Sequence, residues 1–326
     1  MARSDPPAIS VVIPARNAAL YLSDALESLA AQTFDDFEII VVDNGSTDQT
    51  ADILNQWLRR EPRLRVLSVA RPGLAAALNA GIAEARAPLI ARLDADDVAL
   101  PDRLARQYRV FAERPELGLL GSAVELVDRH GRKIGERHRP LTDDDLRRFQ
   151  LNGSGFVHST VMYRRDVFDR AGGYRVGLNC VEDYDLWLRM SEVTEIANLP
   201  DILVHYRIHA SSMSSRLPVR LALTSTCVRA ALEARLRGEP EPFIDGIPKL
   251  RRAHELLGLP AEESRQELRL RARRNGVYLR FHGLAMPRWL KRAIRGAALA
   301  LGLKPLYLHL LGRGRVAGTR PAASES

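Results

Sequence analysis

Four short stretches of this 326-residue sequence place oxygen and nitrogen ligands at spacings that can do chemistry. Asp94-Ala-Asp-Asp97 sets three carboxylates within four residues, a donor set suited to a hard divalent cation, Mn2+ or Mg2+. Such a cation neutralises charge that builds on a departing diphosphate. Asp43-Asn-Gly-Ser-Thr-Asp48 offers carboxylate and amide groups to a ribose or base, and the helix start behind it offers N–H groups to an anion. Glu182 and Asp183 stand at a predicted helix N-terminus, where a carboxylate can take a proton from an attacking hydroxyl or simply complement the helix dipole. In His205-Tyr-Arg-Ile-His209 the alternation of a strand puts His205, Arg207 and His209 on one face. His209 is a candidate metal ligand or diphosphate hydrogen-bond donor. Each cluster alone also fits a solvated turn, a capped helix or a satisfied histidine; position decides between them.

The elements that must position these groups follow from periodicity. Ile9 to Ile13 is a β-branched run stopping at Pro14 and reads as a buried parallel strand. Leu22, Ala25, Leu26, Leu29 and Ala30 form one helical stripe, Phe37 to Val42 a second strand, and Leu54, Trp57 and Leu58 the inward face of a second helix. Arg63 to Val69, a helix carrying Leu74, Ala77, Leu78, Gly81, Ile82 and Ala85, and Leu89 to Leu93 continue the alternation. Units of this length predict an α/β fold, a mostly parallel sheet with helices on both faces. Ligands of such sheets sit beyond the carboxyl ends of the strands. Ala15 to Asn17, Asp43 to Asp48 and Asp94 to Asp97 each follow a strand, so the three should meet at one cleft.

Beyond Pro101 the pattern is mixed. A helix with Leu104, Tyr108 and Phe111 inward precedes a strand from Leu119 to Val127, a helix opened by Thr142 and three aspartates, and a strand from Ser159 to Tyr163. A helix from Arg165 to Ala171 closed by Gly172-Gly173, another from Glu182 to Ser191, and strands Thr194 to Leu199 and Leu203 to Ile208 complete this half. The expected organisation is a nucleotide-sugar-binding half over 1–104, an acceptor-binding half of the same domain over 105–216, and a basic helical extension over 217–326.

Net charge is +8, concentrated in the tail: residues 264–326 hold 14 Lys and Arg against two acids. Two cysteines, Cys180 and Cys227, make neither a disulfide framework nor a zinc site. Met1 to Ala8 lacks a secretory h-region, so a cytoplasmic setting is expected. Arg288-Trp-Leu-Lys-Arg-Ala-Ile-Arg295 precedes an apolar stretch from Ala297 to Leu311, too short and too interrupted by Pro305 to span a bilayer. A segment lying on an anionic membrane surface, or packing on the core, accounts for it. Nothing in it resembles a nucleic-acid motif.

In this order the motifs resemble glycosyltransferase family 2, inverting nucleotide-sugar transferases of the GT-A fold, over about residues 8–215. The resemblance rests on Val11-Val-Ile-Pro-Ala-Arg-Asn17, Gln32-Thr-Phe34, Val41-Val-Asp-Asn-Gly-Ser-Thr-Asp48, Gly73 to Gly81, Arg92-Leu-Asp-Ala-Asp-Asp97 with Pro101-Asp-Arg-Leu104, His158-Ser-Thr-Val-Met-Tyr163, Gly172-Gly-Tyr174, Glu182 to Arg189 and Tyr206-Arg-Ile-His209. It implies a Rossmann-like GT-A sheet and transfer of a hexose-type sugar from a nucleoside diphosphate to a saccharide or lipid-linked hydroxyl, in bacterial surface polysaccharide or glycolipid assembly. Pro14, Arg16, Asn17, Asp43, Asn44, Asn79 and Asp94 would contact the donor, Asp96 and His209 the divalent cation, and Asp183 would be the base. Many members carry a second aspartate where this chain has Asn44. An amide carbonyl there still accepts a hydrogen bond but without charge, which opens the nucleobase to uridine, thymidine or guanosine. The rival reading is a non-catalytic nucleotide-sugar-binding or membrane-docking module.

Overall fold

The computed structural model describes residues 6–69, 73–178, 180–209 and 218–241, the first six of the last segment as backbone. Strands β1 (Ile9–Ala15) and β2 (Phe37–Asp43) are buried along almost their whole length. Ile9, Val11, Ile13, Ile39 and Val41 share one core with the apolar stripes of α1 (Leu22–Ala30) and α2 (Thr50–Trp57). The alternate residues Val12, Ile40 and Val42 share the other with α3 (Leu74–Ala83). Covering both faces is what makes the strands read as unbroken β-branched runs. Helix α3 lies so close that a Cβ on Gly81 would come within 2.7 Å of Val12 Cγ1 and 2.8 Å of Val42 Cγ2.

With β3 (Leu64–Ser68) and β4 (Leu89–Arg92), these strands form a parallel half in the order β3-β2-β1-β4. Ile9 pairs with Phe37 on one side and with Leu89 on the other, an in-phase register that delivers the carboxyl ends of all three strands to one edge. The second half adds β5 (Val98–Ala99), α4 (Arg103–Glu113), β6 (Leu117–Val127), β7 (Lys133–Arg137), α5 (Asp143–Gln150), β8 (Met162–Arg164), α6 (Arg165–Arg170), α7 (Glu182–Ser191) and β9 (Glu195–Arg207). Strand β8 runs antiparallel between β4 and β6, and β9 pairs parallel with β6 and antiparallel with β5. Among the described residues this is one mixed sheet between helices, an α/β architecture of the GT-A kind.

Trp187 holds α7 in place. It is wholly buried, its ring centroid 5.8–6.3 Å from those of Phe156, His158, Tyr163 and Tyr174. Helix α8 (Pro218–Leu236) packs Val228 and Leu232 on Leu178, Val181, Tyr184 and Leu188 of the α7 region. The basic segment Arg288 to Arg295 and the stretch to Leu311 lie outside the described residues. Among the described residues no helix is long and apolar enough to cross a membrane.

Several local expectations are corrected. Strand β1 continues through Pro14 to Ala15, because β4 pairs with it only as far as Val12 and the missing proline N–H faces the vacated side. Leu58 and Tyr108 are exposed; the inward face of α4 is Arg103, Leu104, Gln107 and Phe111. Residues His158–Thr160 form a 3-10 turn before β8 rather than a strand. The two strands expected after Thr194 are one, β9, running through Pro200 and ending at Arg207.

Candidate active site

The loops beyond β1 and β2 are tied together. The backbone N–H of Asn44 donates to the Ala15 carbonyl at 2.8 Å, Thr47 N–H to Asn17 Oδ1 at 2.8 Å, and Ala19 N–H to Asp48 Oδ2 at 3.1 Å. Asn17 adopts φ 51°, a left-handed conformation that asparagine tolerates. Asp43 accepts from Ser46 N–H at 3.0 Å, a local turn bond. Arg16 is exposed at the edge, Pro14 buried beneath it. Asn44 is 5% exposed, and its Oδ1 accepts from Gly73 N–H at 3.0 Å. A backbone N–H can only donate, so this bond fixes the amide orientation: Asn44 presents its NH2 as a donor, while Oδ1 keeps a second lone pair for accepting. Asn79 lies further along α3, where both its amide atoms clasp the Tyr174 backbone at 2.8 and 3.0 Å.

The carboxylates after β4 have separate surroundings. Asp94 Oδ1 pairs with Arg92 at 2.5 Å, and its Oδ2 accepts from Ser159 Oγ at 2.9 Å. Burial works to raise its pKa, but the charge and hydrogen bond of Arg92 outweigh it and hold Asp94 below the usual aspartate value. Asp96 Oδ2 lies 2.7 Å from His209 Nε2. Asp97 is 1% exposed, accepts from Arg207 N–H at 2.7 Å, and has no partner for Oδ2 among the described residues. Burial, followed by the charges of Asp96 and Asp94, pushes its pKa well up. Ligand oxygens of the three aspartates lie within 4.8 Å of one another. Clustered hard oxygens, one of them buried and unpartnered, with an imidazole in contact, fit a divalent cation.

Asp183 stands in the first turn of α7 and accepts from Tyr184 N–H at 2.7 Å. Desolvation pushes its pKa up to about 6, against the Tyr184 hydrogen bond and the positive charge of Arg92; the negative charge of Asp94 adds to the rise. Asp183 and Asp94 thus both feel the positive charge of Arg92. Its neighbour Glu182 is buried, with Oε2 unpartnered among the described residues, and burial together with the charge of Asp183 raises it to about 8. His158 shares a 2.9 Å hydrogen bond with Tyr174 and is held well below the ordinary histidine pKa by burial and by Arg92.

A family model for glycosyl transferase family 2 matches residues 10–172. The chain belongs to glycosyltransferase family 2. The amylovoran biosynthesis glycosyltransferase AmsE of Erwinia amylovora is 36% identical over 197 residues, 60% of this chain and 73% of that protein. The O-antigen biosynthesis glycosyltransferase WbnJ of Escherichia coli is 31% identical over 231 residues, 70% of this chain and 90% of that one. Two solved structures share the fold at 18% identity and a TM-score of 0.57. One is S. aureus TarS in complex with UDP-GlcNAc, covering 85% of this chain and 93% of the other. The second is the mannosyltransferase PcManGT of Pyrobaculum calidifontis with GDP-Man and Mn2+, covering 95% and 85%.

In this family 2 glycosyltransferase Arg92, part of the Arg92 to Asp97 motif, has a role that the motif alone does not show. Its guanidinium is 1% exposed, contacting Asp94 and Ser159. A charged residue inside the apolar run Leu89 to Leu93 was the signal. Ser159, Arg103, Tyr21 and Asp24 carried no such mark. Arg103 donates to the Arg92 carbonyl at 2.7 Å from beneath the loop. His205, two residues before Arg207 on β9, lies beside Glu125 at 3.5 Å.

Proposed function

We propose that this glycosyltransferase moves a hexose-type sugar from a nucleoside diphosphate to an acceptor hydroxyl with inversion at the anomeric carbon, in assembly of a bacterial surface polysaccharide or glycolipid. The observation that carries the reading is the cluster of Asp94, Asp96 and Asp97 beyond β4, whose ligand oxygens lie within 4.8 Å of one another and which has His209 against Asp96. The names of the relatives, amylovoran and O-antigen biosynthesis, support the polymer class.

Asp183, ionised above about pH 6, takes the proton from the acceptor hydroxyl as its oxygen attacks the anomeric carbon. Attack from the face opposite the diphosphate breaks the sugar–phosphate bond and inverts the centre. Asp96 and His209 would hold Mn2+ or Mg2+, which when bound neutralises charge developing on the leaving diphosphate. Asp94, kept ionised by Arg92, contacts donor sugar or ribose, and Pro14, Arg16, Asn17, Asp43 and Asn44 line the nucleoside end. Asn79 keeps Tyr174 against α3, at the margin of the donor site. The basic tail, 264–326, docks on the anionic inner face of the cytoplasmic membrane, near a lipid-linked acceptor.

The test is transfer or donor hydrolysis across UDP-, dTDP- and GDP-sugars with manganese. Asp96→Ala should abolish turnover and Asp183→Asn should lower it about 10²–10⁴-fold, each while leaving the fold intact. Absence of both activities in the wild-type chain across the whole panel would return the reading to a binding module.

A further inference from the structure

Arg207 is used by nothing in the mechanism above, yet both its backbone and its side chain are bonded to the β4 loop. Its N–H donates to Asp97 Oδ1 at 2.7 Å and its Nε to the Asp96 carbonyl at 2.9 Å. Nη1 reaches the Arg129 carbonyl at 3.3 Å and Nη2 pairs with Asp24 Oδ2 at 3.0 Å. The guanidinium lies 4.5 Å from the ring centroid of Tyr21, and the same ring packs against His209 at 5.2 Å. One planar, always-charged group is therefore fixed on all sides, and only 6% of its side chain is exposed.

The consequence concerns Asp96 and His209, whose side chains meet at 2.7 Å. Asp96 is held at its carbonyl by Arg207, and His209 follows Arg207 by two residues and rests on the ring that Arg207 covers. Asp24 and Tyr21 belong to the start of α1, anchored in the core by Leu22, Leu26 and Leu29. We propose that Arg207 and Tyr21 are positioning residues that set Asp96 and His209 at the separation and orientation a divalent cation requires, fixing the loop to α1. The proposal rests on the reading of Asp96 and His209 as the cation site. Partners that orient metal ligands without touching the metal change affinity about 10–100-fold when removed.

The experiment measures Mn2+ alone, by the EPR signal of the free ion titrated with the full chain, alongside a thermal melt of each variant. Asp96→Ala is the control for the site. Arg207→Met should weaken Mn2+ binding about 10–100-fold, and Arg207→Lys should recover part of the loss because it keeps the charge over the ring but not the fork. Tyr21→Leu, a change at a partly exposed position that tolerates substitution if Arg207→Met fails to fold, should weaken binding about tenfold, whereas Tyr21→Phe should match wild type because the ring is what is used. Mn2+ affinity unchanged in Arg207→Lys and Tyr21→Leu, with Asp96→Ala deficient, overturns the positioning role and leaves the site reading standing. Wild type binding Mn2+ no better than Asp96→Ala defeats both.

Discussion

Replacing Asp183 with asparagine tests the base through the pH dependence of transfer as well as through its rate. An ordinary aspartate titrates at 3.8 and would be more than nine-tenths ionised at pH 5. Burial at the start of α7 raises Asp183 to about 6, so at pH 5 only about a tenth of the enzyme carries the working carboxylate. The profile of kcat/KM, which reports the free enzyme, should rise about tenfold per unit up to pH 6 and then level. Asp183→Asn should lower the plateau by about 10²–10⁴ and abolish that limb. Glu182→Gln supplies the decisive contrast, because Glu182 stays protonated until about pH 8 and its charge does not act on Asp183 across the lower limb. The limb should therefore persist in Glu182→Gln. A midpoint near 4 in wild type would refute the buried-base argument, and loss of the limb in Glu182→Gln instead of Asp183→Asn would move the base to the neighbouring residue.

Glu182 also makes a stability prediction. Its folded pKa, about 8, lies above the ordinary 4.5, so the folded state holds a proton that the unfolded chain has released; stability is greatest below pH 4.5 and falls as pH rises toward 8. Denaturant melts of wild type should lose about 3–5 kcal/mol across that window relative to Glu182→Gln, and parallel curves would count against it. With its amide oriented by the Gly73 bond, Asn44 should read a base carbonyl through its NH2, and Asn44→Asp, which removes that donor, should shift nucleoside-diphosphate preference toward bases presenting an N–H, measured by competition calorimetry over UDP, dTDP, GDP and CDP. An unchanged ranking would remove Asn44 from base recognition. Charge-neutral glutamines at Arg288, Lys291, Arg292 and Arg295 should release the full chain from phosphatidylserine vesicles in flotation, and undiminished binding would free that segment of a docking role.

The parallel half was legible because its signals are local. Ile9 to Ile13, Leu22 to Ala30 and Phe37 to Val42 carry their periodicity within one element, and the following polar loops inherit their placement from the strand ends. The second half resisted where partners are distant. Tyr108 has the helical spacing of a core residue, yet Gln107 is buried in its place because its amide caps the Thr160 carbonyl at 2.8 Å and reaches Leu120. No window around α4 contains that information. Arg207 is similar: its chemistry depends on Asp24, 183 residues away.

The misread strand at Ser159 shows why such departures gather at the candidate site. The Ser159 hydroxyl accepts from Asp94 N–H and from Arg92 Nη1, each at 3.2 Å, and donates to Asp94 Oδ2 at 2.9 Å. A single hydroxyl fills both roles only if its backbone turns toward the end of β4 instead of running beside it. The 3-10 turn at His158–Thr160 does this, with Thr160 Oγ1 bonded back to the Val157 carbonyl and Gln107 holding the outer edge. A strand there would satisfy local propensity, whereas the turn gives the buried Arg92 guanidinium Ser159 as a partner beside Asp94. The sequence pattern yields at this position to the partners of a buried charge, and that charge keeps Asp94 ionised.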